Sequence, residues 1–132
     1  MTFICYPKCS TCKKARDFLT AAGFEFTERD IKTQNPTEAE LRDWHARSGV
    51  PLRRFFNTSG QLYRSLELSR RLGEMSEDEQ YALLATDGML VKRPILLTDD
   101  GRGLVGFREA DWSATLHVEA GQRPEARLRL DA

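Results

Sequence analysis

The chain has 132 residues, enough for one domain with a proper hydrophobic core. Lys plus Arg and Asp plus Glu number 20 each, so no overall field points to direct nucleic-acid binding or to an acidic membrane surface. No apolar run approaches the ~20 residues of a membrane helix and no basic-then-apolar leader opens the chain, which predicts a cytoplasmic protein.

Residues 2–6 are apolar and aromatic, the composition of a strand, and Pro7 closes them. From Ser10 the apolar residues Ala15, Phe18, Leu19 and Ala22 follow a 3.6-residue spacing, and Gly23 supplies the left-handed residue that stops a helix. Residues 24–31 alternate apolar and polar, predicting a second strand, parallel to the first across the helical crossover. Thr37 followed by early acids opens a helix carrying Leu41 and Trp44, which stops at Ser48-Gly49. Residues 51–56 read as a short helical turn and 57–60 (Asn-Thr-Ser-Gly) as a loop. Ser76 with Glu79 forms a capping signature for a helix reaching about Thr86. Residues 95–98 are an apolar run, 99–103 a hairpin turn, 104–107 the antiparallel return, and 108–116 a last helix with Trp112 inward. The reading is one domain over 1–116, with a helical block inserted at about 36–86 and a tail at 117–132 that is mobile or ordered by a partner.

Chemistry concentrates where the first strand passes into the first helix. Cys9 lies just ahead of the helix and Cys12 inside its first turn. Open N–H groups at a helix N-terminus stabilise a thiolate, and Lys8, Lys13 and Lys14 add nearby positive charge. Cys9 is therefore expected to titrate below the ~8.5 of a free thiol and to act as nucleophile, with Cys12 placed to resolve a disulfide. A zinc site would need four ligands, and Cys5, His45 and His117 sit in unrelated contexts, so no metal is expected. Cys5 reads as a small hydrophobe on its strand.

The order β-α-β, helices, β-β-α, with Cys-x-x-Cys at the first helix and Arg93-Pro94 before the third strand, resembles the thioredoxin fold, an α/β fold on a mixed four-stranded sheet. The stretches 6–15 (Tyr-Pro-Lys-Cys-Ser-Thr-Cys-Lys-Lys-Ala), 57–60, 92–96 and 105–107 together are similar to the arsenate reductase-like (ArsC/Spx/MgsR) family. That resemblance implies a cis peptide before Pro94, Cys9 as nucleophile, and Lys8, Lys13, Arg93, Pro94 and Arg108 around the substrate. It also implies no bound cofactor, with glutathione or a thioredoxin or glutaredoxin as external reductant.

Two departures separate the branches of this family. Glutaredoxin-linked arsenate reductases carry a non-cysteine where this chain has Cys12. They also use three arginines around the oxyanion. Arg93 matches the one before the proline and Arg108 is the candidate for the last. The segment 57–58 holds none, although Arg53 and Arg54 precede it. The expected activity is thus thiol-based reduction of a disulfide or of an oxyanion such as arsenate, by a monomer acting on a small thiol or oxyanion. The other branch implies a redox-switch transcription regulator that binds the RNA polymerase α-subunit, with Gly49 as a possible match to its contact glycine.

Overall fold

The computed structural model describes residues 1–118. Strand β1 (Thr2–Cys5) leads to helix α1 (Ser10–Ala21) and strand β2 (Thr27–Asp30). Helix α2 (Glu38–Ser48), a 3₁₀ turn (Leu52–Phe55), two short helices α3 (Gln61–Ser65) and α4 (Leu68–Arg71), a 3₁₀ turn (Leu72–Glu74), helix α5 (Glu77–Leu84) and a 3₁₀ turn (Gly88–Leu90) make the inserted block. Strands β3 (Ile95–Leu97) and β4 (Gly103–Val105) and helix α6 (Glu109–Leu116) complete the frame.

The sheet runs β2-β1-β3-β4. β1 and β2 are parallel, with Thr2 opposite Thr27 and Cys5 opposite Asp30. β3 is antiparallel to both neighbours, with Phe3 opposite Leu96 and Ile95 opposite Val105. Because side chains alternate across a strand, β1 feeds two cores. Phe3 and Cys5 join Cys12, Ala15, Phe18, Leu96 and Trp112 under α1 and α6. Ile4 and Ile95 join Leu41, Trp44, Phe55, Phe56 and Leu84 under the inserted block. This is the mixed four-stranded α/β architecture the element order implied.

Local signals explain most boundaries. Thr37 with Glu40, and Ser76 with Glu79, each form the reciprocal capping box. Gly49 takes the left-handed conformation at φ 67° that ends α2. The second strand is shorter than its alternation suggested. It lies at the sheet edge and pairs with β1 alone, while Phe24 N–H closes the end of α1 by donating to the Leu19 carbonyl and Phe26 packs edge-on against Phe3. The return strand also stops early, at Val105, because Gly106 turns left-handed at φ 72°. Its carbonyl there accepts the Trp112 Nε1–H at 3.0 Å.

Between α3 and α4, Glu67 occupies the left-handed region at φ 55°, a break with no glycine to announce it. His117 does the same at φ 57° after α6, and Val118 N–H reaches back to the Ser113 carbonyl at 2.9 Å. Val118 is buried in the Trp112 core, so the frame extends beyond the expected end at 116; the expectation for the rest of the tail falls on 119–132, outside the described residues. Among the described residues, no helix is long and apolar enough to cross a membrane.

Candidate active site

β1 ends at Cys5, and the chain turns through Tyr6-Pro7-Lys8 with the Cys9 N–H donating to the Tyr6 carbonyl at 3.0 Å. Cys9 is the N-cap of α1, a position usually held by Ser, Thr, Asp or Asn because an acceptor there satisfies open N–H groups. Its thiol makes no close capping hydrogen bond. Partial burial works against the charged form, yet the Cys12 N–H, the Cys12 thiol, the Arg93 side chain and the Thr11 N–H together hold the Cys9 thiol below its usual range. Cys12, one turn on, is fully buried and accepts the Tyr6 N–H at 3.3 Å. Burial first, with the nearby Cys9 and Cys5 sulfurs adding to it, pushes its thiol up to about 12. Adjacent cysteines thus differ sharply: one tends to the thiolate, the other stays protonated. All three cysteines are free thiols.

The peptide between Arg93 and Pro94 is cis. Pro94 is buried, and its carbonyl accepts the Gly106 N–H at 2.8 Å, joining the β3 and β4 ends. Arg93 lies over Tyr6, with its guanidinium carbon 5.2 Å from the ring centroid. Its Nε and Nη1 are buried and have no hydrogen-bond partner among the described residues. Cys9 and Arg93 line one cavity of about 480 Å³, together with Asn57, Gly60, Met89 and Lys92. Asn57 N–H donates to the Leu90 carbonyl at 2.8 Å and Lys92 N–H to the Phe55 carbonyl at 2.7 Å, which ties the 57–60 loop to the segment carrying Arg93.

The remaining candidates part company here. Lys8 is exposed and does not line this cavity. Lys13 is turned outward as well and pairs with Asp17 at 3.3 Å, because Cys12, Ala15, Phe18 and Leu19 take the inward face of α1. Neither lysine lines the cavity that Cys9 shares with Arg93, and the groups that lower the Cys9 thiol are Cys12, Arg93 and the Thr11 N–H. Arg108, the residue capping α6, lies at a second cavity of about 520 Å³ with Arg53, Arg54 and Tyr63. Lys92 and Thr11 line both cavities. Lys92 is a site residue that the sequence reading does not single out. Its position beside Arg93-Pro94 was the available signal.

Among the described residues, no group of three or more His, Cys, Asp or Glu could hold a metal ion. His45 bonds Tyr81 through Nδ1 at 2.6 Å, inside the helical block.

The family model described as ArsC family matches residues 5–115. The chain belongs to the ArsC family. It is 51% identical over 109 residues to the uncharacterised protein YusI of Bacillus subtilis, covering 83% of this chain and 92% of YusI. It is 30% identical over 111 residues to the regulatory protein MgsR of Bacillus subtilis, covering 84% of this chain and 86% of MgsR. A crystal structure of an ArsC family related protein from Bacteroides fragilis superposes with a TM-score of 0.83 at 49% identity, covering 86% of this chain and 94% of that one. Membership in this arsenate reductase-like family accounts for the thioredoxin-like frame and the helical block together.

Proposed function

We propose that this ArsC-family chain is a thiol-based oxidoreductase in which Cys9 is the nucleophile and Cys12 the resolving thiol. One observation carries the reading: a half-buried thiol held toward its thiolate shares a cavity with a guanidinium whose Nε and Nη1 have no partner among the described residues. A disulfide or an oxyanion such as arsenate brings to that cavity both an electrophilic centre and an anionic group for Arg93.

On a disulfide, the Cys9 thiolate attacks one sulfur, a Cys9–substrate bond forms, and the second sulfur leaves as thiolate. Cys12 then gives up its proton and attacks Cys9 Sγ; the Cys9–Cys12 bond forms and the first substrate sulfur leaves. The burial of Cys12 keeps it protonated at the outset, and the part of its rise that comes from the Cys9 charge vanishes once Cys9 is spent. An external thiol, glutathione or a thioredoxin or glutaredoxin, returns the two electrons.

The test is turnover of a glutathione mixed disulfide, and of arsenate with glutaredoxin present, combined with mass mapping. We expect Cys9→Ser to abolish turnover and Cys12→Ser to accumulate a Cys9 mixed disulfide. Mild diamide should yield a Cys9–Cys12 bridge with Cys5 still a thiol. A Cys5–Cys9 bridge, or turnover by Cys9→Ser, would sink the assignment.

The likeness to MgsR favours a second reading, a redox-switch regulator that uses the same disulfide and binds the RNA polymerase α-subunit. A pull-down with the α C-terminal domain, in reduced and oxidised states, separates the two. Redox-dependent capture without substrate turnover selects the regulator.

A further inference from the structure

Two cavities share Thr11 and Lys92 in their linings: one holds Cys9 and Arg93, the other Arg53, Arg54 and Arg108. No acidic side chain among the described residues lines either of them. Elsewhere Arg16, Arg29, Arg42, Arg47, Arg70 and Arg102 each face a carboxylate within 4 Å, while Arg64 and Arg71 bond backbone carbonyls instead. Arg53, Arg54, Lys92, Arg93 and Arg108 have no carboxylate partner among the described residues. In a chain whose formal charge is zero, these five cations raise the positive potential around the two neighbouring cavities, while the acidic Asp111 lines a third, smaller cavity with Arg54 and Arg108.

The backbone holds the two halves in register. Arg53 and Arg54 sit on the 3₁₀ turn Leu52–Phe55, which is anchored by the buried Phe55 and Phe56. A bridge between Phe56 and Val91 and the Lys92-to-Phe55 hydrogen bond then fix that turn against the segment leading to Arg93. Lys92 runs across Gly106, where a Cβ would stand 3.2 Å from Lys92 Cε, and so reaches toward the β4 end and Arg108. A tetrahedral oxyanion at Cys9 and Arg93 would fill a small part of the first cavity and leave the second, of about 520 Å³, unused.

We infer that the physiological substrate is a disulfide of a polyanionic low-molecular-weight thiol, its sulfur at Cys9 and its anionic end on Arg53, Arg54 and Arg108. This rests on the thiol-oxidoreductase reading and adds the substrate class. Carboxylates and phosphates both satisfy guanidinium forks in this way. The chemistry balances as follows: the Cys9 thiolate and Cys12 thiol become one disulfide, and the substrate disulfide becomes one thiolate and one thiol, which carries the Cys12 proton. A dithiol reductant restores the protein.

The experiment measures the second-order rate of Cys9–Cys12 oxidation by four disulfides: glutathione disulfide (carboxylates), coenzyme A disulfide (phosphates), hydroxyethyl disulfide (neutral) and cystamine (cationic). Reduced wild type is compared with Arg53→Gln/Arg54→Gln, at low and high salt. For at least one anionic disulfide, wild type should react ten- to a hundredfold faster than the double variant, with a rate that falls with salt, while hydroxyethyl disulfide reacts within about twofold in both. The faster anionic arm identifies carboxylate or phosphate. Equal losses on neutral and anionic disulfides, or no loss on either, overturn the anion subsite and leave the redox reading standing. A loss confined to re-reduction by a glutaredoxin overturns it in favour of a docking face for an acidic protein. If no disulfide oxidises wild type, the substrate class falls together with the disulfide arm of the oxidoreductase reading.

Discussion

Arg93 rests on Tyr6, guanidinium carbon to ring centroid 5.2 Å, and this stacking holds the arginine beside Cys9 where no carboxylate does so. Tyr6 directly follows β1 and opens the turn that presents Cys9, so one short stretch sets both the nucleophile and the support for its cation.

Arg93→Ala should therefore have two effects. Removing a cation that favours the thiolate raises the Cys9 pKa, so iodoacetamide alkylation shifts to higher pH. Losing a charge-assisted contact of roughly 1.5–3 kcal/mol should slow substrate turnover about ten- to a hundredfold. Arg93→Lys should recover part of the rate, because an ammonium lacks the planar fork. Tyr6→Leu should cost several-fold, in line with a cation–π contact of about 0.5–2 kcal/mol. Equal rates across the set would remove Arg93 from the site.

Cys9 should be alkylated far ahead of Cys12 at neutral pH. The thiolate is the reactive form, and Cys9 is held toward it while Cys12 is pushed up to about 12 and has no exposed surface. Cys5 should lag too, since burial, and next the Glu28 charge, raise its thiol. Peptide mapping of limited labelling gives the order directly. Label on Cys12 before Cys9 would reverse the roles.

Much of this was legible along the chain, and the failures share a cause. Caps at Thr37 and Ser76, the left-handed Gly49 and the strand-to-helix position of the cysteines are local features, and the backbone honours each. Closeness in sequence brings Lys13 near Cys9, but helix phase decides which way its side chain points. With Cys12 and Ala15 inward, Lys13 points out. Lys92 and Arg53 meet through a bridge between Phe56 and Val91, a pairing across the whole helical block that no local pattern encodes. The left-handed Glu67 and His117 likewise carry no glycine to mark them.

Gly88→Ala should destabilise the fold and disturb the cavity with it. A Cβ there would sit 1.8 Å from the Ile31 carbonyl oxygen, a backbone atom that cannot step aside like the tip of a side chain. Overpacking of this kind costs about 1–3 kcal/mol, or roughly 3–15 °C in Tm for a domain of this size. The displaced turn carries Met89 and Leu90, whose carbonyls hold Asn57 beside the cavity, so turnover should fall as well. Gly73→Ala is the control, because nothing lies within 4 Å of its added Cβ. Matching thermal melts for the two variants would contradict the close approach.

Glu40 should give the fold a measurable dependence on acid. It joins the Thr37 capping box and accepts from Arg29 Nη2 at 2.9 Å, while Arg29 lies over Trp44 at 5.5 Å. The Arg29 hydrogen bond, reinforced by the Thr37 N–H, lowers its carboxyl to about 2, against ~4.3 in an unfolded chain. A folded-state value below the unfolded one stabilises the protein at pH above ~4.3, and that contribution disappears as pH falls through about 2. The Glu40 side chain is 34% exposed, so solvent screening cuts the effect to about 1 kcal/mol. Glu40→Gln keeps an acceptor for the capping box and removes only the charge. The variant should unfold at lower urea than wild type at pH 7, and the gap should close between pH ~4.3 and about 2. Asp100, lowered to about 2 by Arg102 and Thr98, titrates over the same window in both proteins and cancels in the difference. A gap that stays constant from pH 7 to 2 would mean that the Arg29–Glu40 pair contributes through shape and hydrogen bonding, with no share from its charge.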